Sequence, residues 1–324
     1  MSRNLKYHLH GKVIYITSSI EQGVLFLNNP VILLLLRSCL AAALAKYKAK
    51  LCHFIVEPTH FHIIVVIDNP EDISNFIGYF KCETAHRINR ILGRPKRTVW
   101  CAGYDSPTLV TPLRALIAIA YIYSNPGKDN LSESIDSYLG FSSWKMFTTG
   151  EFTETVDIID RDEFKYIPFG QQNEKGYARE AARLLATSTR KETLTIEPNA
   201  WLDAYGIKDS MSQLRWNSKL VERLRFLEQR AANVRKKTGR RVMSAFRQRN
   251  EKFDTTKLSK RKRGKRSIAL SERKRDRKDF IATYWKRVQE AKDVVKRWRQ
   301  GDTSVRYPPG LYAPSMPRLA NIVP

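Results

Sequence analysis

The 324-residue chain carries 57 Lys and Arg against 32 Asp and Glu, a net charge of +25. That length suits one large domain or two ordinary ones, and so basic a chain favours a polyanionic partner. Four cysteines with no Cys-x-x-Cys argue against a disulfide-stapled secreted domain and read as reduced thiols of a cytosolic protein. The amino end is polar rather than a secretory signal. The most apolar stretch, residues 31–45, contains Arg37 and is too short for a bilayer, so no membrane partner is expected.

In chain order, residues 7–17 are rich in β-branched and aromatic types and predict a strand. Residues 30–48 predict a helix, with Asn29 as N-cap and Pro30 in the first helical position. Residues 51–56 and 61–67 predict two strands joined by a Glu57-Pro58-Thr59 turn, or one strand broken there. Residues 71–92 predict a long helix closed by Gly93 and Pro95. An extended piece around Val99-Trp100 follows, then a helix over 113–125 that Pro126 should end. This order suggests an α+β, ferredoxin-like sandwich, an antiparallel sheet with helices on one face, over residues 1–148. Ser142-Ser143-Trp144 would close it.

Beyond it a mixed, helical extension is expected over 149–254. Residues 151–159 read as a hairpin or loop, and 174–186 as a helix. A further helix is capped by Asp209 or Ser210, ends at Gly239, and has apolar positions at Trp216, Leu220, Leu224, Leu227, Ala231 and Val234. Residues 255–278 are so charged that a flexible segment is expected. Residues 279–299 return to helical spacing within a terminal segment, 279–324, whose residues 307–312 form an extended, proline-rich tail.

Two short patterns carry chemistry. His60 and His62 lie two apart on a strand and so project from one face, with Phe61 on the other. Paired imidazoles on a rigid strand make half of a metal site, although a His-x-His pair alone is also compatible with a structural role. Tyr121 and Asn125 lie one turn apart on a helix face. A phenol, two imidazoles and a carboxamide are the parts of a metal-assisted phosphodiester cutter. Tyr123 competes for the nucleophile but points about 200° away from Tyr121. His53 and His86 read as packing or surface residues; His8 and His10 share a strand face without a matching helix motif.

With Pro58-Thr59-His60-Phe61-His62, then Trp100, then Tyr121-Ile122-Tyr123-Ser124-Asn125-Pro126, the chain resembles the single-tyrosine HUH transposases, most closely the REP-associated tyrosine transposases. Asn89, Gly93 and residues 100–104 fit the middle section of that family, and the resemblance spans roughly residues 5–145; Glu57 and Thr59 depart from its pattern. The resemblance implies that His60, His62 and Asn125 hold a divalent cation, magnesium or manganese. Tyr121 would then cut single-stranded or hairpin DNA through a covalent 5′-phosphotyrosine link and rejoin strands. A domesticated hairpin binder that does not cut, or a replication initiator or relaxase of the wider group, is the alternative. A monomer and a homodimer are both compatible with it.

Basic residues supply the expected grip on DNA. Residues 1–150 hold 16 basic and 10 acidic side chains, and residues 151–324 hold 41 and 22, so most attraction falls in the second half. Candidate phosphate contacts are Lys81, Arg87 and Arg90 on one helix face, then Arg261, Lys262, Arg263, Lys265, Arg266, Arg273, Lys274 and Arg275. Trp216, Trp285 and Trp298 could stack on bases, but their helical spacing favours packing.

Overall fold

A computed structural model describes residues 5–21, 28–95, 97–168, 173–250 and 267–313. Its first part runs β1 (Val13–Ser19), α1 (Pro30–Lys46), β2 (Lys50–Glu57), β3 (His60–Val66), α2 (Pro70–Ile91), β4 (Thr108–Leu109) and α3 (Pro112–Lys128). Next come β5 (Phe141–Ser142), α4 (Trp144–Thr149), β6 (Thr153–Ile158), α5 (Glu174–Ala186), β7 (Arg190–Thr195), α6 (Ala200–Asp203) and α7 (Ser210–Thr238). The described chain continues with α8 (Ala245–Asn250), β8 (Ala269–Leu270) and α9 (Lys274–Arg299). The main sheet has the order β5-β2-β3-β1-β4-β8. Its inner β2-β3-β1-β4 order with α1 and α2 as crossovers is the ferredoxin-like arrangement. All pairs in it are antiparallel except β4 with β8.

Local chemistry explains the boundaries. Asn29 accepts a hydrogen bond from the Ile32 amide at 3.0 Å, a cap that stabilises a helix by about 1 kcal/mol. Asn69 caps α2 and Thr111 caps α3, and each of these three helices has proline in its first turn. Gly93 sits at φ +59°, a left-handed conformation that ends the α2 region. Asp209 caps α7, which closes on Gly239 at φ +66°.

β3 alternates between two apolar layers. Phe61, Ile63 and Val65 face α1 and α2, where Phe61 packs edge-on against Phe80 and Trp100. Ile64 and Val66 face α3. A one-residue slip of β3 would exchange these layers and turn both histidines into the α1/α2 core, so burial of Phe61 holds the register of the site. The expected sandwich is present with one difference: α1 and α2 share a face, but α3 packs on the opposite one. Its Ala115, Ile119 and Ile122 cover the side of the sheet formed by Val13, Ile55, Ile64 and Val66.

Several expected boundaries shift. The first strand begins at Val13 rather than residue 7, because Gly11 turns the chain at φ +64°. His8 and His10 therefore share no strand face: His8 bonds Tyr312 and Ser106, and His10 bonds the Asp68 carbonyl. Pro126 does not end α3. It removes one ladder donor, but the Asp129 amide bonds the Asn125 carbonyl at 2.7 Å and the helix runs on to Lys128. Residues 267–278, expected inside a flexible stretch, instead form β8 and the start of α9, because Ala269 is buried where β8 pairs with β4. Val234 leaves the apolar stripe of α7 and is exposed. Arg235 turns inward instead, bonding the Gly127 carbonyl and Glu133.

The later elements pack back onto the first part. Val156, Ile158 and Leu194 of the β6/β7 ribbon, with Tyr177 and Leu184 of α5, join the core that α1 lines. Leu220 and Leu224 of α7 join the layer around α3. Tyr284, Val288 and Ala291 of α9 enclose Tyr7 and Leu311.

Candidate metal centre and nucleophile

The β2–β3 hairpin turns through Pro58-Thr59, so Glu57 pairs directly with His60 across the strands. His62 pairs with Thr17 of β1 and Ile55 of β2. Glu57, His60 and His62 offer ligand atoms that all lie within 4.8 Å of one another. The His60 and His62 rings stand edge to face, 4.6 Å apart, and Glu57 Oε2 is 3.7 Å from His60 Nε2. All three residues are buried.

Each imidazole is oriented through its Nδ1 edge. His60 Nδ1 lies 3.0 Å from Thr59 Oγ1, and His62 Nδ1 lies 2.7 Å from the Tyr15 hydroxyl. The Tyr15 ring also stacks on His62 at 5.5 Å and 14°. In the tautomer that ligates a cation through Nε2, Nδ1–H donates to those hydroxyl oxygens, a support that fixes ring orientation.

α3 brings the second set of groups over this strand pair. The Tyr121 ring centroid is 6.3 Å from that of His62, and Tyr121 is 39% exposed. Asn125, one turn on, is buried and reaches the Glu57 carboxyl. Asn125 Oδ1 and Glu57 Oε1 are buried with no hydrogen-bond partner. Burial, then the charge and hydrogen bonding of Asp129, push the Glu57 carboxyl up to about 8, against the opposite pull of Lys128 and Asn125. Lys128 donates to the Tyr121 hydroxyl at 3.1 Å. Burial pulls its ammonium down, but the hydrogen bond and charge of Tyr121, with the charges of Asp129 and Glu57, give a net upward shift.

The residues expected from the two short patterns, His60, His62, Tyr121 and Asn125, are thus brought together. Tyr123 points away into the core, where its hydroxyl contacts His53 and Ser143 at 2.9 and 2.7 Å. Sequence reading gave Tyr15 and Lys128 no role. Lys128 follows Tyr121 by seven residues, a same-face helical spacing that could have flagged it once the helix was known to pass Pro126. Tyr15 reaches His62 only through sheet pairing and had no local signal.

The expected basic face of α2 is corrected. Arg87 is buried, held by Glu83 and the Ile159 carbonyl, and cannot reach a phosphate. Lys81 donates to the carbonyls of Cys101 and Gly103, and Arg90 pairs with Asp162. α2 also lies on the sheet face opposite the histidines. Arg273, Lys274 and Arg275 are exposed at the start of α9. Arg261, Lys262, Arg263, Lys265 and Arg266 lie outside the described residues. Trp216 packs edge-on against Trp201, Trp298 is half-buried, and Trp285 is half-exposed.

No helix among the described residues is long and apolar enough to cross a membrane. No curated protein matches the chain. Among solved structures, a REP-associated tyrosine transposase bound to a REP hairpin is similar at 17% identity, over 46% of this chain and 86% of that one, with a TM-score of 0.41. Residues 4–125, which include His60, His62, Tyr121 and Asn125, match the family model described as IS200-like transposase. Over that amino-terminal segment, somewhat more than a third of its length, the chain is similar to the IS200-like transposases.

Proposed function

We propose that the chain is a metal-dependent, single-strand-specific DNA endonuclease and strand transferase that cuts beside hairpin-forming DNA. The observation that carries this reading is the placement of the half-exposed Tyr121 ring against His62, with His60 and Asn125 beside it. The donor set fits a divalent cation. Two imidazoles are oriented through Nδ1, and the buried Asn125 Oδ1 has no hydrogen-bond partner. Such an atom is costly to bury unless something accepts it as a ligand. A cation held by His60, His62 and Asn125, magnesium or manganese, would supply Lewis-acid polarisation of the phosphate's non-bridging oxygens.

The protein's own groups do the rest. Tyr121 is exposed enough to meet a DNA strand, and Lys128 holds its hydroxyl oxygen. The Tyr121 oxygen attacks phosphorus and gives up its proton to solvent. The bond from phosphorus to the 3′ oxygen breaks, and that oxygen leaves as a hydroxyl by taking a proton. The 5′ phosphate stays on Tyr121. A 3′-hydroxyl that attacks this link reverses the exchange, frees the phenol and joins strands. One phosphodiester is traded for another, so no nucleotide hydrolysis is required. Exposed Arg273, Lys274 and Arg275, with the basic residues 257–266, are candidate contacts to the DNA backbone.

The test is a 3′-labelled hairpin oligonucleotide incubated with the full chain and manganese, then resolved on a denaturing gel. A covalent protein–DNA band that vanishes in Tyr121→Phe is expected. Retention on a native gel with no covalent band would leave a hairpin-binding protein and remove the nuclease reading. A normal adduct from Tyr121→Phe would remove Tyr121 from the role.

A further inference from the structure

His60, His62 and Asn125 are all neutral as ligands, yet each is buried. A dication moved into such a place exchanges its water for neutral ligands, and its charge stays uncompensated unless an anion joins them. Glu57 stands where that anion is needed. It is the cross-strand partner of His60, its Oε2 lies 3.7 Å from His60 Nε2, and its ligand atom lies within 4.8 Å of those of both histidines. Oxygen and nitrogen atoms bound to one ion at about 2.1–2.2 Å are roughly 3–4.4 Å apart, so rotation of the Glu57 side chain closes the set. Its Oε1 is buried without a hydrogen-bond partner. Nearby Lys128 is already hydrogen-bonded to the Tyr121 hydroxyl.

We propose that Glu57 is a fourth protein ligand of the cation, and that its charge lets the centre fill before DNA arrives. The inference rests on the metal centre proposed above and adds an order of assembly to it. With Glu57 in place, the protein supplies an anion of its own. Without it, His60, His62 and Asn125 are all neutral, and the phosphate of the substrate would supply the counter-charge at the ion. The site would then load well only on DNA.

Manganese binding to the full-length protein at one fixed pH, by titration calorimetry with and without a hairpin oligonucleotide, tests this. Glu57→Gln should weaken manganese binding without DNA by at least about 30-fold, and hairpin DNA should restore most of the loss. His62→Ala should lose binding in both conditions. Equal manganese affinity for wild type and Glu57→Gln, with loss in His62→Ala, would overturn the role of Glu57 and leave the metal centre standing. No manganese binding by the wild type would overturn both. If thermal melting in chelator shows Glu57→Gln unfolded, the wild type alone decides. A manganese-induced infrared difference band of a coordinated carboxylate, measured without DNA, supports the proposal, and its absence overturns it.

Discussion

Lys128 donates to the Tyr121 hydroxyl at 3.1 Å across two turns of a helix that continues past Pro126. The ammonium also lies 5.0 Å from the centre of the Tyr121 ring. A fixed positive charge beside the attacking oxygen orients that oxygen and favours the approach of an anionic phosphate. Lys128→Gln keeps much of the side chain and removes the charge. Cleavage of a hairpin oligonucleotide should fall on the order of 100-fold, with hairpin affinity in chelator nearly unchanged. Single-turnover rates and a native-gel titration separate the two. An unchanged rate would show that the contact is incidental.

Tyr15 supports His62 from β1, by stacking and by the 2.7 Å contact of its hydroxyl with Nδ1. Tyr15→Phe keeps the stacked ring and deletes the polar contact. Loss of such a supporting group costs about 10–100-fold in metal affinity or activity. Manganese titration should show that loss while the melting temperature in chelator stays close to wild type. A matching drop in melting temperature would instead mark Tyr15 as a packing residue only.

Phe61 holds the opposite side of the histidine strand. It is fully buried against Phe80 and Trp100, whose indole N–H donates to Thr84. Phe61→Ala should destabilise the protein by about 3–5 kcal/mol. Urea denaturation measures the loss, and manganese affinity should weaken with it because His60 and His62 lose their anchored register. A loss below about 1 kcal/mol would mean that the strand is held by other contacts.

Acid should weaken the fold through buried neutral histidines. Burial, helped by Lys6, lowers His8 to about 4, and burial lowers His53 to about 3, each against one hydrogen bond that acts the other way. Below about pH 6.5 the unfolded chain binds these protons and the folded chain does not. Stability therefore rises with pH across the window from about 4 to 6.5 and is lost as pH falls through it. His8 alone contributes on the order of 3 kcal/mol to that slope. His8→Gln, which keeps polar atoms near Tyr312 and Ser106, should flatten the dependence of unfolding free energy on pH between 6.5 and 4.5. The same slope in variant and wild type would place the sensitivity elsewhere.

Local pattern made much of the protein legible. Caps at Asn29 and Asp209, the stop at Gly239 and the helix over 174–186 follow from side chains that bond or free their own backbone. Strand alternation put His60 and His62 on one face, and helical spacing put Tyr121 and Asn125 on another, because both periods are properties of a few consecutive residues. Which faces meet is a different matter. Tertiary packing alone set α3 against the side of the sheet that bears the histidines, brought Tyr15 to His62, drew Arg87 inward to the Ile159 carbonyl, and laid β8 along β4. Each of those pairings joins residues distant in sequence or on different strands, and is decided by which apolar surfaces exclude water together. No short stretch of sequence contains that information.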